Sequence, residues 1–250
     1  MLITARCLVK NKSSCSYWGI CRLSCVTSTD KSQVRSRRIQ GLDAEQRRAR
    51  RREQILAAAF DLIAADGYVN TAIEQICQTA FVGNKAFYEL FDSKEDCYLA
   101  LLAQQSERAQ EMVATALSES SGTREEIVAA VIGAFAHSMV DDPRVAKVTF
   151  GEASGISAKV EQQRRVNRRW AAQFLETLWH EKGFVPPEGI GIDLHALAVS
   201  AIGGLFETVA DWLHTDAGAT GDIDVLIRDL TTFIEIVHLG LAAAVDRSGR

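Results

Sequence analysis

The sequence predicts an all-α protein, with a three-helix head that contains a helix-turn-helix near its N-terminus and an all-helical body behind it. Three observations lead there. Apolar residues recur at the three- and four-residue spacing of a helix through most of the chain after residue 44. Ala and Leu, the best helix formers, are abundant. Only three of the 250 residues are proline, so little interrupts the pattern. At 47% hydrophobic and 24% charged, the chain has the composition of an ordinary soluble globular protein, with length enough for one large domain or two modest ones.

The first helix is expected from Ala44 to about Ala65, with Ile55, Leu56, Ala59, Phe60 and Ile63 on one face. Its start is strongly basic, with Arg47, Arg48, Arg50, Arg51 and Arg52. Asp66-Gly67 is the expected stop, because glycine takes the left-handed geometry that closes a helix. Thr71 and Glu74 have the spacing of a capping box for a short helix over about 72–79, which buries Ile73, Ile76 and Cys77. After the break Phe81-Val82-Gly83, a second short helix is expected over Asn84 to Phe91, and Asp92-Ser93-Lys94-Glu95 then opens a long helix through about Glu119. Two short helices joined by a tight turn, behind a longer supporting helix, make a helix-turn-helix. In such a unit the first short helix braces the second, whose exposed N-terminal residues fit the major groove of DNA.

Charge agrees with that arrangement. Residues 1–95 carry 15 Lys and Arg against 10 Asp and Glu, whereas residues 96–250 carry 13 against 22. A basic front on an acidic body suits a nucleic-acid binder with a separate second module.

The residues of the head resemble the TetR family of bacterial transcription regulators. Arg52-Glu53-Gln54-Ile55-Leu56-Ala57-Ala58-Ala59-Phe60 is similar to that family's first helix, and Gly67-Tyr68, Thr71, Ile73 and Ile76 to its approach to the motif. Phe87-Tyr88-Glu89-Leu90-Phe91-Asp92-Ser93-Lys94-Glu95 is similar to the end of its recognition helix and the start of its fourth helix. The likeness covers about residues 50–102. Departures fall in the turn, where Ala80-Phe81-Val82-Gly83 stands in place of the usual Ala-Gly-Val-Ser. Phe81 there replaces a glycine that often takes a left-handed backbone, which is costly for an aromatic residue. The resemblance implies that Thr71, Tyr88 and Lys94 contact phosphates and that Asn84, Lys85 and Phe87 face the groove, with Arg51 joining them from the basic first helix. Hydroxyls and ammonium groups suit phosphate oxygens, and Asn or Lys can read base edges; Phe87 and Tyr88 as core residues is the competing reading.

Behind the head, Ile127, Val128, Val131, Ile132, Phe135 and Met139 define a helix that ends at Asp141-Asp142-Pro143, and a shorter helix runs from Arg144 to Ala153. The next spans about Ser157 to Glu181, with Val160, Val166, Trp170, Phe174 and Leu178 expected inward. Arg164, Arg165, Arg168 and Arg169 are expected outward, as a solvated face paired with Glu161. Gly183 and Pro186-Pro187 end it. Two further apolar helices follow, from about Leu194 to Leu213 and from Ile223 to Leu241, separated by a Gly/Thr-rich gap at 217–221. By resemblance they form a four-helix dimer interface, with Leu197, Ala201, Leu205, Trp212, Leu226, Leu230, Phe233 and Val237 as candidates. Gly203-Gly204 either permits close helix approach or weakens the helix. The resemblance also implies an effector pocket between the middle helices, with Phe135, Met139, Phe150, Trp170 and Phe174 as candidates, each of which also reads as plain core.

The domains expected are therefore a leader over 1–43, a head over 44–95 with its helix-turn-helix at about 72–91, and an effector-binding and dimerisation body over 96–250. The leader lacks a sustained period and is expected to be disordered, either lying upstream of the native start or serving as a basic arm through Arg35, Arg37 and Arg38. Its Cys7, Cys15, Cys21 and Cys25 lack the paired spacing of a zinc site. Cys77 and Cys97 read as small core residues. No uninterrupted apolar run reaches the roughly 18–20 residues of a membrane span, and no export signal opens the chain; a cytoplasmic protein is expected. Catalytic motifs such as G-x-S-x-G and H-E-x-x-H are missing, and the five histidines are scattered singly, so no enzyme, metal or cofactor is expected. The function expected is a dimeric repressor, released from a palindromic operator by a small-molecule ligand. The alternative is a helical ligand- or protein-binding module whose helix-turn-helix no longer reads DNA.

Overall fold

The computed structural model describes residues 43–150, 155–181, 191, 193–214 and 222–248. The leader up to residue 42, with its four cysteines and with Arg35, Arg37 and Arg38, lies outside the described residues. So do the helix stops expected at Gly183 and Pro186-Pro187 and the gap at 217–221. Among the described residues there are nine helices and no strand.

Helix α1 (Ala44–Asn70) begins at a reciprocal cap: Asp43 accepts from the Gln46 backbone at 2.8 Å, and the Gln46 side chain accepts from the Asp43 backbone at 3.0 Å. The stop expected at Asp66-Gly67 is a kink. Gly67 leaves helical geometry at φ 82°, and one more turn runs on to Asn70. Helices α2 (Ile73–Thr79) and α3 (Asn84–Tyr88) follow, and α4 (Lys94–Glu119) starts on Ser93, whose Oγ accepts from the Asp96 backbone at 3.0 Å. The capping box expected of Thr71 and Glu74 does not form. Ala72 is the cap residue of α2, and its N–H donates to the Gln75 side chain at 2.7 Å. Thr71 turns its hydroxyl back onto α1 instead.

The body continues with α5 (Arg124–Val140), α6 (Pro143–Phe150), α7 (Ala158–Glu181), α8 (Leu194–His214) and α9 (Ile223–Ser248). Two cores result. The head core joins Ile55, Leu56, Ile76, Phe87 and Phe91 to Cys97, Tyr98, Leu101 and Leu102 of α4, so it runs past residue 95. It also takes in Val148 of α6 and Val160 of α7. The body core is built from α5, α7, α8 and α9, with Trp179, Ala198, Val209, Leu226 and Leu230 among its most buried members. Helix α8 is long and apolar enough, by length and composition alone, to cross a bilayer; its buried stripe of Ala198, Ala201, Ile202, Leu205 and Val209 is body core.

Candidate functional site

The head presents α3 at the surface, with one buried and one exposed face. Asn84, Lys85 and Tyr88 are exposed, whereas Phe87 is fully buried, with its ring 5.5 Å from that of Phe91. Phe87 is therefore a core anchor and is withdrawn from the groove-facing set. Its burial fixes the roll of α3 and so turns the other three outward. Arg51 lies beside them, 3.7 Å from Glu89 just past the end of α3.

Two expected phosphate contacts are also corrected. Thr71 is only 2% exposed, and its hydroxyl donates to the Gly67 carbonyl at 2.8 Å. The Lys94 ammonium donates to the carbonyls of Tyr68 at 2.8 Å, Val69 at 3.5 Å and Thr71 at 2.7 Å, and sits 4.3 Å from the Tyr68 ring centroid. An ammonium has three N–H donors, and all three are engaged. Both side chains close the C-terminal end of α1, where a cation also meets the negative end of the helix dipole. Burial holds the Lys94 pKa below its ordinary value. These two residues position the motif.

The turn between α2 and α3 keeps the strain expected of it. Phe81 has φ 54°, among the described residues the one non-glycine in the left-handed region, and its ring is 94% exposed. Gly83 is the cap residue of α3 and supplies no side-chain bond.

The body holds a cavity of about 510 Å³, walled by α4, α5, α6, α7, α8 and α9. That is within the ordinary range for small-molecule sites, roughly 300–1,000 Å³. The structure brings Phe135, Met139, Phe150, Trp170 and Phe174 to this one wall. Phe206 and Trp179 are aromatic members that the sequence reading omits; the Phe206 ring centroid lies 5.3 Å from that of Phe135 and 6.1 Å from that of Phe150. The arginine cluster of α7 also needs correction. Arg165 and Arg169 are exposed, but Arg164 and Arg168 turn inward and line the cavity, while Val166, expected inward, is exposed.

Helix α6 joins the cavity to the head. Thr149 and Phe150 line the cavity, and Val148 belongs to the head core. The Tyr98 hydroxyl of α4 donates to the Val148 carbonyl at 2.7 Å. At the other end of α6, Arg144 contacts Asp61 of α1 at 2.7 Å and lies 5.0 Å from the Phe60 ring centroid.

Of the expected dimer residues, Ala201, Leu205, Leu226 and Leu230 are buried inside the subunit's own core and have no surface to offer a partner. Leu197, Trp212, Phe233 and Val237 are half-buried against that same core. The large apolar side chains exposed on α8 and α9 are Val199, Ile236 and Leu239. Gly204 is where the two helices touch: a Cβ there would lie 3.0 Å from the Phe233 ring.

Residues 55–101, the span from α1 through the first turns of α4, match the family model of bacterial regulatory proteins of the tetR family. The head is therefore similar to that of tetR-family regulatory proteins over those residues. The fatty acid metabolism regulator protein of Bacillus subtilis is 25% identical over 170 residues, covering 65% of this chain and 84% of that protein. Among solved structures, the fatty acid degradation regulator FadR of Bacillus halodurans superposes with a TM-score of 0.62 at 22% identity, over 73% of this chain and 93% of that one. The FadR of Bacillus subtilis, in complex with stearoyl-CoA, superposes with a TM-score of 0.60 at 24% identity, over 74% and 96%. These likenesses extend the TetR fold through the body.

Proposed function

We propose that this protein is a dimeric, sequence-specific transcriptional repressor in the cytoplasm, and that a small apolar ligand entering the body cavity releases it from a palindromic operator. Asn84, Lys85 and Tyr88 read or grip the DNA, with Arg51 beside them on the backbone; their shared exposure on one face of the TetR head supports this. The domains follow the same lines, a head from residue 44 to the first turns of α4 and an effector-binding, dimerising body behind it.

One observation carries the regulatory part: the eight residues of α6 touch both the head core and the cavity wall. Packed interiors resist continuous deformation, so a ligand that displaces Phe150 shifts Val148 with it. Release requires that the ligand bind one head arrangement better than the other. Apolar side chains make up most of the wall, and similarity to regulators of fatty acid metabolism, one of them seen with stearoyl-CoA, supports an acyl chain as the occupant.

Dimerisation through the outer faces of α8 and α9, where Val199, Ile236 and Leu239 lie exposed, holds two heads at half-sites about 34–36 Å apart. The test is selection from a pool of random duplex DNA by the full-length protein. A palindrome should be enriched, and Asn84→Ala with Lys85→Ala should abolish the enrichment. Weak, sequence-independent retention even at low salt would refute the reading.

A further inference from the structure

The cavity wall is basic. Arg124, Arg164 and Arg168 line it, and no Asp or Glu is among the described residues that do, although Asp and Glu outnumber Lys and Arg 32 to 28 in the whole chain. Arg124 is paired with Glu125 at 2.8 Å, at the surface. Arg164 reaches Glu161 at 3.8 Å, but that carboxylate is held more closely by Arg165, at 2.9 Å. Arg168 makes no ion pair among the described residues. Its guanidinium lies 5.3 Å from the Phe206 ring centroid, half-buried, with Arg164 one turn away on the same face of α7. Burial, reinforced by Arg164, holds its pKa below the ordinary arginine value, and the carboxylates of Glu161 and Glu207 only partly offset this. A cation taken from water without a carboxylate partner costs free energy, unless something else supplies the negative charge.

We propose that the effector is an amphiphile with an anionic group, a carboxylate or phosphate, at one end of its apolar body, and that Arg168, backed by Arg164, receives that group beside α6. Arg168 has the chemistry of an anion clamp: a planar guanidinium beside an aromatic ring, with N–H groups that can make two parallel bonds to oxygen. Phe206 is shared between Arg168 and Phe150, so the anion docks next to the last residue of α6. Asn167, also on the wall, offers a neutral donor alongside. The apolar body of the ligand then extends among Phe135, Phe174, Leu178 and Ile202.

This inference rests on the cavity being the effector site, and the experiment separates the two. Dodecanoate, dodecanoyl-CoA and dodecan-1-ol, each below its micelle concentration, are titrated against the full-length protein. Binding is read from tryptophan fluorescence, since Trp170 and Trp179 line the cavity. At least one anionic probe should bind tenfold or more tighter than the alcohol: dodecanoate if a carboxylate is read, only the thioester if phosphates are. Arg168→Gln should remove that preference while leaving the affinity for dodecan-1-ol within twofold, and Arg168→Lys should keep part of it. Arg169→Gln, on the outward face, should change nothing. If the alcohol binds as tightly as both anions, or if Arg168→Gln weakens all three probes alike, the anion clamp is overturned and the cavity remains an effector site. If no probe binds, the effector reading falls and the clamp with it.

Discussion

The Tyr98 hydroxyl donates a 2.7 Å hydrogen bond to the Val148 carbonyl inside the seam between α4 and α6. It is a buried strut, with Tyr98 1% exposed and Val148 equally enclosed. Burial raises the Tyr98 pKa well above its ordinary value, so the hydroxyl stays a donor throughout the range in which the protein works. Tyr98→Phe leaves the carbonyl without its partner and should cost about 1–3 kcal/mol in urea denaturation. If α6 is the coupling element, the same substitution should also weaken the dependence of DNA affinity on ligand.

Phe81 should behave in the opposite way. An L-residue held in the left-handed region costs roughly 1–2 kcal/mol, and glycine avoids most of that at the expense of some chain entropy. Phe81→Gly should therefore raise stability by about 0.5–1 kcal/mol, measured by the denaturation midpoint. The ring is exposed, so no packing is lost to offset the gain.

Lys94→Met should be destabilising despite the partial exposure of the side chain. It strips the Tyr68 and Thr71 carbonyls of their 2.8 and 2.7 Å bonds at the end of α1. A loss of about 1.5–3 kcal/mol is expected for a hydrogen-bonded charged group. Because the residue positions the motif, DNA binding should fall along with stability. A variant that keeps full stability and loses only its phosphate-dependent affinity would return Lys94 to direct DNA contact.

Most of the helices can be read in the sequence, because their apolar residues repeat at three and four and their ends carry ordinary caps. The site was legible in part. Phe135, Met139, Phe150, Trp170 and Phe174 line one cavity because large apolar side chains on the middle helices pack inward. Arg164 and Arg168 line the cavity although arginine reads as a surface residue. Yet Arg164, Asn167, Arg168, Ala171, Phe174 and Leu178 form one stripe at helical spacing, and that stripe was the available signal. Thr71 and Lys94 differ for another reason: their partners are backbone carbonyls at the end of α1, and no side-chain pattern reports those. The candidate dimer residues mixed the two faces of α8 and α9, because both faces are apolar.

Ile236→Glu and Leu239→Arg alter the exposed face of α9 and should produce a folded monomer with weakened DNA binding, as seen by analytical ultracentrifugation and circular dichroism. Leu230→Glu places an unpaired carboxylate in the subunit core and should unfold the body instead.

Acid should loosen the body through His238. This imidazole is buried beside Trp179, with ring centroids 6.0 Å apart, and burial lowers its pKa in the fold, with a smaller contribution from Arg124. A lowered folded-state pKa gives stability that is present above the unfolded value near 6.5 and is lost as pH falls below it. Stability of the native protein should therefore drop as pH falls below about 6.5. His238→Phe should flatten that part of the profile.

The central claim is that cavity and DNA compete through α6, and fluorescence anisotropy on the selected palindrome tests it most directly. With dodecanoyl-CoA titrated in, affinity for the duplex should fall at least tenfold, and saturating duplex should weaken binding of the thioester by the same factor, as linkage requires. An unchanged duplex affinity, while tryptophan fluorescence reports a filled cavity, would contradict it.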